Sequence, residues 1–312
     1  AGSEIAPSWS HLLHVSRRAL LPTFCHMELA GFEHFSILGG FGTYEVQIAL
    51  CYALAHFVLR FALKPIWGDK RNSAAVMGGS DGARGDAKFS AKDLAKRSLT
   101  IDVVAYNMIA VSYAVYCAVT GPMGWFDGSA AKVEGSPTDR LYAESAGAMA
   151  LASLTASYEL YNTVTVIFLP EYATAAFIGH HACTCLLAIL GMHPFLNYYG
   201  FFFFGLSAVS SVPLALTELL KVMNSTAGLE LCEIVFAILF LCIRTVYWPY
   251  VSYGFWGDML GALQGTPGYP PVHSTFAYVV FLVANVGLTS LQLFWTTKIL
   301  SAIVEKLGGG GE

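Results

Sequence analysis

The chain has 312 residues, of which 55% are hydrophobic and only 12% are charged. A soluble protein carries about 25% charged residues, so this composition indicates a protein that crosses a membrane several times and excludes a disordered chain. The formal net charge of −4 argues against nucleic acid as a partner, because nucleic-acid binding requires a basic surface.

The N-terminal part of the chain divides into three predicted segments. Residues 1–35 mix apolar residues with two arginines and four of the nine histidines, which predicts an amphipathic segment. A first transmembrane helix is expected at 36–64. A basic, flexible loop is expected at 65–97, because its middle is rich in glycine.

Seven apolar stretches are long enough to cross the hydrocarbon core, which requires about 20 residues. They lie at 42–63, 99–120, 142–169, 171–191, 194–221, 228–252 and 275–300. We therefore expect an all-α, polytopic membrane bundle of about seven transmembrane helices. Pro170 separates the third and fourth stretches, which predicts a tight antiparallel hairpin, and Pro213 predicts a kink in the fifth.

The distribution of basic residues predicts the orientation of the bundle. The segment from Arg60 to Arg97 holds nine of the seventeen lysines and arginines, and the positive-inside rule places it on the cytosolic side. Alternation then places the C-terminus inside and the N-terminus outside. The glycosylation sequon at Asn224 falls on the cytosolic side and is expected to be unmodified. Residues 303–312 end in a glycine run and predict a flexible tail.

The densest group of polar residues inside the spans lies at the predicted hairpin. An ionisable side chain in hydrocarbon costs about 3 kcal/mol on insertion scales, so each one requires an explanation. At about 1.5 Å per residue, Asn162 lies about 12 Å before Pro170, and His180 and His181 lie about 15–17 Å after it. These groups should meet at similar depth, and Glu159 lies one turn from Asn162 on the same helix face.

This group supports two interpretations. A buried histidine pair can supply a general base that deprotonates an amine or a hydroxyl, and a neighbouring carboxylate would orient the imidazole. The same side chains can instead form hydrogen bonds between helices, worth about 0.6 kcal/mol apiece in membranes. Arg244 is expected to pair with Glu233 or Glu159, and no metal site is predicted. The predicted pocket residues are Tyr158, Asn162, Thr184, Ser207, Ser210 and Arg244.

Several motifs follow one another in a recognisable order. They are Lys96-Arg97-Ser98, Ser157-Tyr158-Glu159-Leu160-Tyr161-Asn162, Leu169-Pro170, His180-His181, Ser210-Ser211-Val212-Pro213-Leu214 and Arg244. Their order resembles the TLC domain of ceramide synthases and of the translocation-associated TRAM proteins, over about residues 95–300. The resemblance implies a TLC-like domain at 98–302, with six helices around a central cavity that admits an acyl chain. It also implies an endomembrane of the ER type. The sequence itself leaves a mitochondrial or plastid membrane open as the alternative.

The sequence departs from the family at positions where an acid is usual. Asn162 occupies one of these positions, and Ala208 or Val209 occupies the other. A histidine base without its carboxylate loses rate by orders of magnitude, and one helical turn displaces Glu159 from the usual position by about 5 Å. We therefore predict a non-catalytic TLC-fold protein that binds lipid or another hydrophobic ligand, without a cofactor. Its expected partners are membrane lipids and other subunits of a membrane complex.

The alternative prediction is a ceramide-synthase-like N-acyltransferase, which would use acyl-CoA as co-substrate and a sphingoid base as acceptor. His180 or His181 would be the base and Glu159 the orienting acid. One distance bears on this alternative, because a His181 more than about 5 Å from every carboxylate could not be oriented by a direct hydrogen bond.

Overall fold

The computed structural model describes residues 42–76, 91–126, 135–192, 195–223 and 225–308. These ranges contain helices and turns, and no strand. In chain order the helices are α1 (Thr43–Val76), α2 (Ala91–Phe126), the short α3 (Pro137–Tyr142), α4 (Ala146–Ile167), α5 (Ala175–Leu190), α6 (Asn197–Val222), α7 (229–264) and α8 (Thr275–Gly308). The expected all-α membrane bundle is confirmed, with seven long helical segments in the described part of the chain.

Four stretches are long and apolar enough to span a membrane when length and composition alone are considered. They are Thr43–Pro65, Thr100–Phe126, Asn197–Val222 and Thr275–Lys306. Helix α5 is apolar but shorter. Together these segments identify an integral membrane protein.

Two segments predicted to be flexible are partly helical. Helix α1 continues to Val76 and α2 begins at Ala91, so the loop predicted at 65–97 is helical at both ends. Helix α8 continues to Gly308, into the tail predicted at 303–312. Apolar windows detect only the part of a helix that lies in hydrocarbon, so polar helical extensions leave no such signal. The segment predicted at 1–35 and the sequon residue Asn224 lie outside the described residues.

Helices α4 and α5 pack against each other as the predicted antiparallel hairpin. Helix α4 ends at Ile167, and α5 begins at Ala175 rather than directly after Pro170. The start of α5 is fixed by Thr174, whose hydroxyl accepts a hydrogen bond of 3.3 Å from the backbone N–H of Phe177. A threonine in this N-cap position satisfies one of the free N–H groups of the first turn.

Helix α6 is irregular just before Pro213. It has a π-helical segment at Phe201–Gly205 and a 3₁₀ segment at Leu206–Ser210, and the regular α-helix begins at Ser211. Proline has no backbone N–H and cannot complete the α-helical hydrogen bond four residues back, which explains a break at this point. The backbone of Gly205 also lies directly against Gly121 of α2, an approach that only residues without a Cβ allow.

Helix α1 lies at the edge of the bundle, against α2 and α4. Near its start, a carboxylate oxygen of Glu45 accepts a hydrogen bond of 2.7 Å from Ser153. Further along, Nδ1 of His56 lies 2.7 Å from the hydroxyl oxygen of Tyr161. These buried polar contacts fix the position of α1 relative to the other helices.

The two ends of the bundle are held by different ion pairs. At one end Arg140 of α3 donates to Asp258 of α7 through Nε and Nη2, both at 2.7 Å. This hydrogen bonding raises the pKa of the Arg140 guanidinium, which therefore remains charged. At the other end Glu233 of α7 forms salt bridges with Lys221 of α6, at 3.7 Å, and with Lys306 of α8, at 3.5 Å. The two lysines lie at the same end of the bundle, as the alternation of spans requires.

Candidate functional site in the central cavity

A cavity of about 520 Å³ lies between six of the helices. Helices α2, α4, α5, α6, α7 and α8 all contribute to its lining, and no described residue of α1 does. The lining is mostly apolar, with a small number of polar side chains, which is the usual character of a small-molecule site. The expectation of six helices around a central cavity is confirmed.

The cavity extends along the bundle axis. Phe195 of the α5–α6 connection and Phe281 of α8 line it at the end held by Arg140 and Asp258. Lys298, which is seventeen residues after Phe281 on α8, lines it at the other end. At about 1.5 Å per residue, these two positions on α8 are separated by about 26 Å, so the cavity has the length of an extended chain.

His181 and Glu159 form a direct contact on the cavity side of the α4–α5 hairpin. Nδ1 of His181 lies 2.7 Å from Oε2 of Glu159. The displacement of about one turn expected for Glu159 therefore does not keep its carboxylate from His181. A glutamate side chain is one methylene longer than that of aspartate. The carboxylate of Glu159 therefore reaches His181, although Glu159 lies about one turn from the usual position of the acid. His181 can be oriented by a carboxylate in this chain.

Asn162 lies behind the cavity wall rather than in it. Its side chain is fully buried, and it is absent from the lining. Its Oδ1 accepts a hydrogen bond of 2.6 Å from the hydroxyl of Tyr106, and its Nδ2 lies 3.2 Å from Oε2 of Glu159 and 2.7 Å from Nδ1 of His181. An imidazole nitrogen offers one hydrogen or one lone pair, so Nδ1 of His181 bonds to one of these two neighbours at a time. With its proton on Nδ1, His181 donates to Glu159, and Asn162 donates to the same carboxylate.

His180 lies in a different environment from its neighbour. Its ring packs edge-on against Trp295 of α8, with centroids 5.2 Å apart, and it lines the cavity. Its Nδ1 is buried and has no hydrogen-bond partner among the described residues. Of the two histidines, His181 is the one that a carboxylate orients.

Arg244 does not form the ion pair expected from the sequence. Its Nε donates to Ser210 at 2.8 Å, its Nη2 to Ser211 at 2.9 Å, and its Nη1 to Gln292 at 3.4 Å. The two carboxylates proposed as partners bind other groups: Glu159 contacts His181, and Glu233 contacts Lys221 and Lys306. The prediction of an Arg244–carboxylate pair is wrong, because the π-helical segment Phe240–Tyr247 directs Arg244 towards α6 and α8.

The other predicted pocket residues line the cavity. Tyr158 stacks on Tyr113 of α2, with ring centroids 3.7 Å apart. The hydroxyls of Thr184 and Ser207 donate to backbone carbonyls of their own helices, at 2.9 Å and 2.8 Å. The structure brings Tyr158, Thr184, Ser207, Ser210 and Arg244 to one cavity.

Three site residues were not identified from the sequence. Tyr106 supports Asn162, Trp295 packs on His180, and Gln292 accepts from Arg244. Gln292 left a usable signal, because it is an amide side chain inside a span of high mean hydropathy. The aromatic residues left none, since tyrosine and tryptophan are common in apolar helices. In the described ranges, no three His, Cys, Asp or Glu side chains are grouped closely enough to hold a metal ion.

The comparison with known families agrees with this architecture. The TLC domain matches residues 102–301, which is more than half of the chain. This chain belongs to the TLC-domain family. The matched region runs from α2 to α8 and includes every helix that lines the cavity. No curated protein matches the chain.

Proposed function

We propose that this TLC-domain protein binds an amphiphile with its acyl chain in the central cavity. The observation that carries the proposal is the mostly apolar cavity of about 520 Å³, which follows the bundle axis from Lys298 to Phe281. Its volume lies within the range of about 300–1,000 Å³ that is typical of ligand sites. A site of this length and polarity accommodates a hydrocarbon chain better than a compact polar metabolite.

We further propose a non-catalytic role as an accessory subunit of a membrane complex, in an endomembrane of the ER type. Helix α1 supports this role, because it lies outside the six cavity-lining helices and exposes large apolar side chains. Leu54, Phe57 and Phe61 are each more than half exposed. Such a face fits lipid or another membrane helix. Native gel electrophoresis after mild detergent extraction tests the role: a stable stoichiometric complex supports it, and a monomer contradicts it.

The His181–Glu159 distance of 2.7 Å favours a second candidate function, N-acyl transfer from acyl-CoA. With Nδ1 of His181 donating to Glu159, Nε2 is the basic nitrogen. It would accept the proton of a sphingoid amine as the amine attacks the thioester carbonyl. The amide bond would form, the carbon–sulfur bond would break, and the proton would pass to the leaving thiolate of coenzyme A.

A bulky side chain in the cavity tests the binding proposal. Thr184→Phe places a ring in the lining, and Leu186→Phe places the same ring on the outer face of the same helix, where Leu186 is 46% exposed. We expect purified Thr184→Phe to bind radiolabelled hexadecanol at least about tenfold more weakly than wild type, because the ring occupies the chain's space. We expect Leu186→Phe to bind like wild type. Equal binding by both variants would contradict the proposal.

An acyl-transfer assay separates the two candidate functions. Purified protein is supplied with acyl-CoA and a sphingoid base, and amide formation is followed. Turnover that disappears in His181→Ala establishes the enzymatic function. Absence of turnover in a preparation that binds hexadecanol supports the non-catalytic one.

A further inference from the structure

The electrostatic surroundings of Arg244 bear on which headgroup a ligand of the cavity carries. Arg244 lies on the wall of the cavity at a depth where the surroundings are hydrocarbon and protein. A positive charge at such a depth is costly unless an opposite charge or several hydrogen bonds stabilise it. In the described part of the chain its hydrogen-bond partners are two serine hydroxyls and one amide, and its Cζ lies 5.8 Å from the centroid of the Phe240 ring. None of these partners is charged.

The carboxylates that face the cavity are already engaged elsewhere. Glu159 accepts from His181 and Asn162, as described above. Glu218, at the basic end, pairs with Lys221 at 3.3 Å. The cavity thus holds one arginine whose charge no described side chain neutralises.

The hydrogen-bonding groups around Arg244 hold it in place without using all its donors. A guanidinium has five N–H groups, and the three contacts described use one on each nitrogen. One N–H group on each of Nη1 and Nη2 remains, and guanidinium N–H groups on two nitrogens can bind a carboxylate or a phosphate side by side. Ser210 and Ser211 hold the guanidinium from α6, so the side chain is oriented before a ligand arrives.

A second, independent observation lies next to the arginine. The side chain of Gln292 is fully buried, and its Oε1 accepts the hydrogen bond from Arg244. Its Nε2 has no partner among the described residues. A buried amide donor without a partner is unfavourable, so Gln292, which lies behind the cavity lining, adds an unsatisfied donor beside the unneutralised cation.

The position of Arg244 defines which part of a ligand it would contact. Its partner Gln292 is eleven residues after Phe281 on α8, so the apolar end of the cavity extends about 16 Å beyond the arginine. Phe203, Trp248 and Phe255 line this stretch. A headgroup at Arg244 would therefore leave its acyl chain in the aromatic part of the cavity.

We propose that the cavity selects amphiphiles with an anionic headgroup, a carboxylate or a phosphomonoester, which Arg244 binds between α6 and α8. This inference rests on the proposed binding function and specifies its ligand class. Apolar tails alone provide little selectivity, because the surrounding lipid is as apolar as the cavity. The headgroup contact is what distinguishes the ligand from bulk lipid.

The test compares headgroups on one chain length, using the purified full-length protein in a neutral detergent. The radiolabelled probes are hexadecanoate, hexadecyl phosphate, hexadecanol and hexadecylammonium. We expect one or both anions to bind at least about tenfold more tightly than hexadecanol, and hexadecylammonium to bind more weakly than hexadecanol. The two anionic probes distinguish a carboxylate site from a phosphate site.

Variants assign the preference to Arg244. Arg244→Gln is expected to bind the anions no more tightly than hexadecanol, while its affinity for hexadecanol stays within about twofold of wild type. Arg244→Lys should recover part of the preference, since it keeps the charge and loses the two-pronged geometry. Lys306→Gln, which removes an exposed charge outside the cavity, is the matched control and should behave like wild type.

Each result decides one proposal. Equal affinity of the wild-type protein for all four probes overturns anion selection and leaves acyl-chain binding intact, and this comparison holds even if Arg244→Gln fails to fold. Binding of none of the probes overturns the proposed function itself. Loss of the preference in Lys298→Gln but not in Arg244→Gln would place the anion at the basic end of the cavity and overturn the assignment to Arg244.

Discussion

Nδ1 of His181 lies 2.7 Å from Oε2 of Glu159, across the hairpin of α4 and α5. Asn162 donates to the same carboxylate oxygen from one turn further along α4. This cluster joins two helices through buried polar groups that satisfy one another. In a protein interior such contacts stabilise the fold whether or not a reaction takes place, because an unpaired member would be costly.

The first prediction concerns the stability that this cluster provides. His181→Ala should lower the free energy of unfolding by about 1–3 kcal/mol, because it leaves the buried Glu159 carboxylate without its main partner. In a double-mutant cycle with Glu159→Gln, the two changes should be non-additive by about 0.5–3 kcal/mol. The measurement is reversible unfolding in detergent. Val164→Ala, on the exposed face of α4, is the control, and strict additivity would show that the contact contributes nothing.

The second prediction concerns the ion pair between α3 and α7. Asp258 is buried and accepts two hydrogen bonds from Arg140 and a third, of 2.6 Å, from the hydroxyl of Tyr199. Asp258→Ala should destabilise the protein by about 3–5 kcal/mol, since it removes the carboxylate partner of a partly buried guanidinium. Tyr199→Phe removes one hydrogen bond and should cost only about 1–2 kcal/mol. Thermal unfolding of both variants tests this order, and a larger effect of Tyr199→Phe would contradict it.

The third prediction concerns the crossing of α2 and α6. A Cβ on Gly121 would overlap the backbone of Gly205, and backbone cannot move aside as a flexible side chain can. Gly121→Ala should therefore destabilise the bundle by at least about 1–3 kcal/mol. Gly287→Ala on α8 meets no atom within 4 Å and should leave stability unchanged or slightly increased. Equal effects of the two changes would show that the helices do not cross this closely.

The fourth prediction concerns orientation in the membrane. The density of basic residues between Arg60 and Arg97 predicts that this end of the bundle faces the cytosol. In a cysteine-free background, Lys306→Cys should react with a membrane-impermeant maleimide only from the cytosolic side. Thr266→Cys, in the connection between α7 and α8, should react only from the opposite side. The reverse pattern would invert the bundle and place the sequon at Asn224 where it can be glycosylated.

Hydropathy predicts the fold of this chain better than it predicts the site. The apolar stretches identify the spans, because each helix must satisfy its backbone internally to cross the bilayer. Helix ends such as Val76 and Gly308 were missed, since polar turns outside the hydrocarbon carry no apolar signal. Pro213 predicted the break in α6, but no proline or glycine lies in the π-helical segment Phe240–Tyr247 of α7, which was not predicted.

For the site residues, the sequence likewise predicted which side chains come together but not how they contact one another. Helical spacing correctly placed Glu159 and Asn162 on one face and opposed them to the histidines. It could not give the reach of the Glu159 side chain, which decides whether His181 has a carboxylate. Nor could it give the direction of Arg244, because a π-helical segment rotates the side chains that follow it. Contacts between helices, rather than periodicity along one helix, determine these features.

Photo-crosslinking can locate an acyl chain in the cavity. A hexadecanoate probe with a diazirine on its chain is bound to the purified protein, activated by light, and located by peptide mass spectrometry. If the acyl chain occupies the cavity, labels are expected on cavity-lining residues such as Phe203 and Ser207, and these labels should disappear in Thr184→Phe but not in Leu186→Phe. Labels confined to lipid-facing residues such as Leu54 and Leu186, unchanged by Thr184→Phe, would contradict it.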